Sequence, residues 1–224
     1  MKLDKDIFNR FIDFALKMLF CFGLVRLSAL FKMSFVFGSM RGFLSGSAAT
    51  MPLLGMFGGG PVGLSVFSLS IIVRYLLFGA ASLSILAFYV PGFCAFLYFS
   101  YKNVVTRLLI PLACMILFIL HPVGSQAFLY SFFWLIPIAI YFVKSKNLFL
   151  HALASTFIAH AVGSVIWLYT VQMNAAVWYS LIPIVILERI AIACAIFVSA
   201  GVVHFLKNKY LHSQEKKAKI CVTS

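Results

Sequence analysis

Apolar residues run along this chain in long blocks that no charge interrupts: residues 42–73, 75–101, 108–143, 147–187 and 190–206. A helix that crosses a bilayer needs about 20 apolar residues, so most of these blocks hold one or two crossings each. The pattern predicts an all-α fold, a polytopic integral membrane helical bundle.

Short basic clusters punctuate the blocks: Lys2/Lys5/Arg10/Lys17, Lys102/Arg107, Lys144/Lys146 and Lys207/Lys209/Lys216/Lys217/Lys219. Positive residues favour the cytoplasmic side, so consecutive clusters are separated by an even number of crossings. Spans are expected at about 105–120 and 127–143, with the His121-Pro122-Val123-Gly124-Ser125 turn outside. Two more are expected at about 148–171 and 178–206, with Gln172-Met173-Asn174 outside and Trp167, Tyr169, Trp178 and Tyr179 as interfacial anchors. In the first hundred residues, 61–79 and 82–100 read as two helices around Gly79-Ala80-Ala81. The run 42–58 is short and glycine-punctuated, able to span or to re-enter. The opening segment, 11–38, carries Lys17, Arg26 and Lys32, awkward for a lipid-facing span. Parity gives six to eight transmembrane helices in a single membrane domain, 1–224. Residues 1–10 and 207–224 are expected as cytoplasmic tails, the second of them frayed.

Composition narrows the function classes. The chain is 63% hydrophobic and 10% charged, where a soluble domain carries about 25% charged residues. That excludes a soluble, a disordered and a nucleic-acid-binding protein. The net charge of +13 sits in short loops and tails, where topology explains it and nucleic acid is not needed. Cys21, Cys94, Cys114, Cys194 and Cys221 form no C-x-x-C pair, so neither a disulfide framework nor a thiolate metal site is expected. The acids near the N-terminus and the lack of a small-residue cleavage site argue against a cleaved signal peptide.

An ionisable residue inside a membrane is a functional hypothesis by default. Glu188, the only acid between Asp13 and Glu215, lies about ten residues into the last span, roughly 15 Å deep. Ala191, Ala195 and Ser199 share its face, a small-residue stripe that lets a helix or ligand approach. Arg189 points about 100° away and is not expected to pair with it. Neutralisation by a basic residue on another helix is the bland alternative. His160 should lie at similar depth on the antiparallel neighbour, with Thr156, Gly163, Ser164 and Trp167 on its face. It could line a ligand site or be a satisfied packing residue. His151 and Ser155 form a second polar face nearer the cytoplasm. Arg74, four residues after Ser70, could clamp a carboxylate or phosphate or snorkel to the interface, and Arg41 has the same two readings. Histidine spacing offers no metal site, and no cofactor is expected.

The stretch Gly55-Met56-Phe57-Gly58-Gly59-Gly60-Pro61-Val62-Gly63 is no Walker A loop, because no Gly-Lys-Ser/Thr follows. It is either a broken helix lining a cavity or a tight helix–turn–helix. Phe43-Leu44-Ser45-Gly46-Ser47 fails the Gly-x-Ser-Gly motif of rhomboid proteases, so no catalytic residue is assigned. Met51-Pro52-Leu53-Leu54-Gly55, then Gly60-Pro61-Val62-Gly63, then Tyr89-Val90-Pro91-Gly92-Phe93 come in an order that resembles the substrate-binding S component of energy-coupling-factor vitamin transporters. The resemblance covers roughly residues 40–100. It implies uptake of a small water-soluble compound, a vitamin or precursor, with ATPases and a membrane coupling subunit as partners.

The reading is therefore a multi-pass transport protein of a bacterial-type inner (cell) membrane, with both termini cytoplasmic. Its substrate-binding residues would be Glu188, His160, Trp167, Ser164 and Arg74. The cavity is expected in the outward half, between the last two spans and the region 55–74. The alternatives are a membrane enzyme acting on a lipid or isoprenoid, and a non-catalytic membrane scaffold. One buried acid cannot supply the carboxylates that a metal on a phosphorylated lipid wants.

Overall fold

The computed structural model describes residues 2–30, 32–33, 44–78 and 82–223, with side chains over 6–30, 46–77 and 89–209. Arg41 and the expected Gly79-Ala80-Ala81 turn lie outside the described residues. Among those residues the chain is helical apart from short turns and one two-residue ladder, β1 (Lys32–Met33) against β2 (Leu44–Ser45).

Helix α1 (Lys2–Leu30) presents Phe14, Met18, Cys21, Phe22 and Val25 to the bundle. That helical spacing buries one stripe and leaves Phe8, Phe11, Phe20 and Leu27 exposed. The next element is α2 (Ser47–Leu53), which passes into a π turn (Leu54–Gly58) and then into α3 (Gly59–Phe78). These pieces follow one another without an intervening loop but are not straight. Gly59 sits at φ 72°, a left-handed backbone that glycine adopts without Cβ strain, and the chain folds back there.

Contacts along α4 (Ser82–Ser100) trace the fold-back. Met51 approaches Gly92 and Gly55 meets the Phe96 carbonyl; a Cβ at Gly60 would then meet the Tyr101 hydroxyl. On the return, Gly63 lies under the Phe96 ring and Phe67 stacks on Phe93 at 4.3 Å. Met51 and Leu54 accordingly share a core with Val62 and Val66. The glycine-rich stretch is thus a tight helical hairpin with its apex beside Tyr101. Its first arm rises only about 18 Å at ~1.5 Å per residue, short of the ~30 Å hydrocarbon thickness.

A π turn (Val105–Leu109) leads into α5 (Ile110–Leu120), and a 3-10 turn (Phe128–Trp134) leads into α7 (Leu135–Val143) after the short α6 (Pro122–Gln126). Pro111 and Pro137 lack the N–H that would complete the α pattern across these junctions. Helix α8 (Leu148–Thr170) is the hub, packed by α4, α5, α7 and α10. It has little amphipathic character, as a helix buried on most sides should. The fold closes with α9 (Ala175–Ser180) and α10 (Ile182–Thr223). The helix of α10 continues through the basic tail where fraying was expected.

Among the described residues, three stretches are long and apolar enough to cross a membrane: Ser47–Leu77, Leu148–Thr170 and Ile182–Lys209. In the first of them the crossing length belongs to the 20 residues of α3, because of the bend at Gly59. Tyr89–Ser100, Val105–Leu120 and Phe128–Val143 are shorter apolar helices.

Candidate functional site

Polar groups gather where α8 meets α10 and the 3-10 turn. Thr156, His160 and Ser164 follow at i, i+4 and i+8 along one face of α8, as their spacing predicts. The His160 Nε2 lies 2.9 Å from the Tyr130 hydroxyl and 3.4 Å from Ser164 Oγ. Tyr130 is buried in an aromatic cage, 5.7 Å from Phe118 and 5.0 Å from Trp178 between ring centres. The Nε1 atoms of Trp134 and Trp178 are buried in the same cage without a hydrogen-bond partner.

On α10, Glu188 Oε2 is 2.6 Å from an Arg189 guanidinium nitrogen. This corrects the expectation that the neighbours cannot pair. Their Cβ vectors diverge, but both side chains are long, and their ends meet over the helix surface. The side chains are 23% exposed for Glu188 and 11% for Arg189. Arg189 also donates to the Thr156 carbonyl at 3.4 Å, tying α10 to α8, while its Nε is buried without a partner. Arg189 lies close enough to His160, and both members of the pair to Tyr130, to act on them electrostatically. Glu188 thus reaches α8 through Arg189, whose bond to the Thr156 carbonyl lies one helical turn from His160.

Two expected members sit elsewhere. Trp167 is on α8, nearly two turns beyond His160, and 45% exposed. Arg74 lies on α3 with its Cζ 5.9 Å from the centre of the Tyr89 ring. It belongs to a second polar cluster where Ser70 carbonyl accepts from Arg26 at 3.0 Å and from the Tyr89 hydroxyl at 3.5 Å. Helix α3 packs mainly on α1 and α4, whereas α10 meets the α2 arm of the hairpin. Residues 55–74 thus do not form one wall with the last two spans. A cleft of about 600 Å³ instead opens at the α8–α9 turn, lined by His121, Val123, Tyr169, Gln172, Met173 and Asn174 among others.

A third cluster surrounds His151 at the other end of α8. Its Nδ1 is 2.8 Å from the Tyr98 hydroxyl and its Nε2 is 2.7 Å from the Ser145 carbonyl. The Arg107 Cζ stands 4.7 Å over the Tyr98 ring. Tyr130, Tyr98 and Arg189 are the functional-looking groups that sequence reasoning did not single out. Among so many aromatics nothing in the chain marks these two tyrosines. Among the described residues no three His, Cys, Asp or Glu side chains converge. No protein-family model, no curated protein and no solved structure matches the chain.

Proposed function

We propose that this chain is a multi-pass transport protein, similar to an S component, that captures a small water-soluble compound from outside. The observation that carries the reading is the ion pair of Glu188 and Arg189, tied by Arg189 to the Thr156 carbonyl on the α8 face that also bears His160 and Ser164. Charge at that depth is costly and is retained where it binds or moves something. The pair offers a carboxylate and a guanidinium to a ligand with groups of both signs, and the His160 face adds neutral hydrogen bonds. A compound enters, in this reading, from the end of the bundle where the cleft at the α8–α9 turn opens. In this reading α3, α4, α5, the 3-10 turn with α7, α8 and α10 are six crossings with both termini cytoplasmic, in an inner (cell) membrane. ATPases and a coupling subunit are the partners that the resemblance implies.

A second reading, the scaffold, is favoured by one observation: Glu188 and His160 both have internal partners. Purification in mild detergent followed by mass spectrometry separates the two. A transport protein brings down a small molecule or an ATPase, and Glu188→Gln loses the small molecule. Preparations that carry neither, in wild type and variant alike, favour the scaffold.

A further inference from the structure

The cluster at the Ser145 end of α8 is unused by that reading and rests on it only for which end of the bundle is cytoplasmic. A carbonyl oxygen only accepts, so the His151 Nε2 beside Ser145 carries a hydrogen, and Nδ1 accepts from the Tyr98 hydroxyl. That fixes a neutral imidazole bound at both nitrogens. Around it are cations: Lys102 and Arg107 both lie close enough to act on the ring electrostatically, and Lys144 and Lys146 flank Ser145 in sequence. Lys144 stands at φ 51°, and is the one non-glycine residue with positive φ among those described. The N-terminus of α8, the positive end of its dipole, opens here with no acid in its first turn. Arg107 Nε is buried without a hydrogen-bond partner, and the sequence holds no Asp or Glu from residue 14 to residue 187. No carboxylate from that whole stretch balances these charges.

The neighbouring surface is apolar. Val104, Val105, Leu109, Phe142 and Val143 are all exposed on two elements that pack together, the π turn before α5 and α7. Cations beside an exposed apolar strip fit an amphiphile with an anionic head. We propose that this end of the bundle is a binding site for an anionic phospholipid. The phosphodiester sits on Arg107 with Lys102, Lys144 and Lys146, and the acyl chains lie against the Val104–Val143 strip. Basic pockets between helices on the cytoplasmic side take such headgroups. The acyl-chain strip favours a lipid over an acidic protein or a free phosphate compound.

The test is native mass spectrometry of protein released from vesicles of equal phosphatidylglycerol and phosphatidylcholine. Wild type should retain phosphatidylglycerol preferentially. Each cation removed should lower the preference about fivefold, the equivalent of ~1 kcal/mol per basic residue. Arg107→Gln removes the centre of the site but also its contact with Tyr98. Lys102→Gln with Lys146→Gln, both exposed, therefore tests the same charge without touching packing. Lys207→Gln with Lys209→Gln controls for general attraction and should leave the retained lipid in place. Equal retention of the two lipids by wild type overturns the proposal, as does a preference unchanged in the Lys102/Lys146 variant. Stabilisation by inorganic phosphate in phosphatidylcholine-only vesicles, without headgroup preference, assigns the site to a free anion and also overturns it.

Discussion

At the residue scale, the Glu188–Arg189 pair decides what a single substitution can report. Glu188→Gln leaves Arg189 with one long bond to the Thr156 carbonyl and an unpaired charge. Breaking a buried pair on one side costs about 3–5 kcal/mol, and the 23% exposure of Glu188 puts this pair below that range. Glu188→Gln should lower the thermal midpoint in detergent, and Glu188→Gln with Arg189→Met should recover part of the loss. If the double variant melts lower than either single one, the pair is not the unit that holds charge here. Tyr130→Phe removes the 2.9 Å partner of His160 and leaves the ring only the 3.4 Å contact with Ser164. The exposed cost of a buried polar group left short is about 1–3 kcal/mol, so a clear fall in midpoint is expected. An unchanged melt would mean that His160 finds another partner. Thr156, His160 and Ser164 could be read from spacing alone, since a helical face follows from arithmetic. Arg189 and Tyr130 could not, because side-chain reach and the route of a neighbouring element settle those contacts.

At the element scale, the hairpin at Gly59 shows how local chemistry redirects a chain that hydropathy treats as one apolar run. Seven residues of α2 and five of the π turn go down along α4, and α3 returns along the same helix. Each pass needs a glycine where the backbone or a ring comes close: Gly55 at the Phe96 carbonyl, Gly63 at the Phe96 ring. A glycine cluster followed by Pro61 announces a break, but not which neighbour the two arms share. That depends on Phe96, 33 positions further on than Gly63, which no local pattern connects. Gly59→Ala forces a side chain into a backbone at φ 72°, ψ 172° that essentially only glycine adopts, at a cost of roughly 1–3 kcal/mol. Gly63→Ala drives a methyl into the Phe96 ring. The second should destabilise more than the first, and Gly63→Ala with Phe96→Leu should restore part of the loss. Thermal unfolding of the three variants checks the order; a milder effect at Gly63 than at Gly59 would argue against the ring contact that defines the hairpin.

At the scale of the whole molecule, the two ends of α8 carry different chemistry, and this makes the topology testable. At one end the Tyr179 hydroxyl donates to the Gln126 carbonyl at 2.8 Å, and Tyr169 reaches the Leu117 carbonyl and the His121 ring. The turns at 121–126 and 171–174 are thereby held together, uncharged and rimmed by aromatic residues, as the outer surface of a membrane protein would be. At the opposite end the Ser145 carbonyl, His151, Tyr98 and Arg107 join the turns at 101–104 and 144–147, which hold Lys102, Lys144 and Lys146. Charge bias along the sequence assigns the same sides, although it cannot say that turns 40 residues apart touch. In a background lacking the five native cysteines, single cysteines at Ser125 and Gln172 should react with an impermeant maleimide in intact cells. Cysteines at Asn103 and Ser145 should react only after the membrane is opened. One from each pair on the wrong side would require an odd number of crossings between them, and would remove the six-crossing arrangement on which both the outer capture cleft and the inner headgroup site depend.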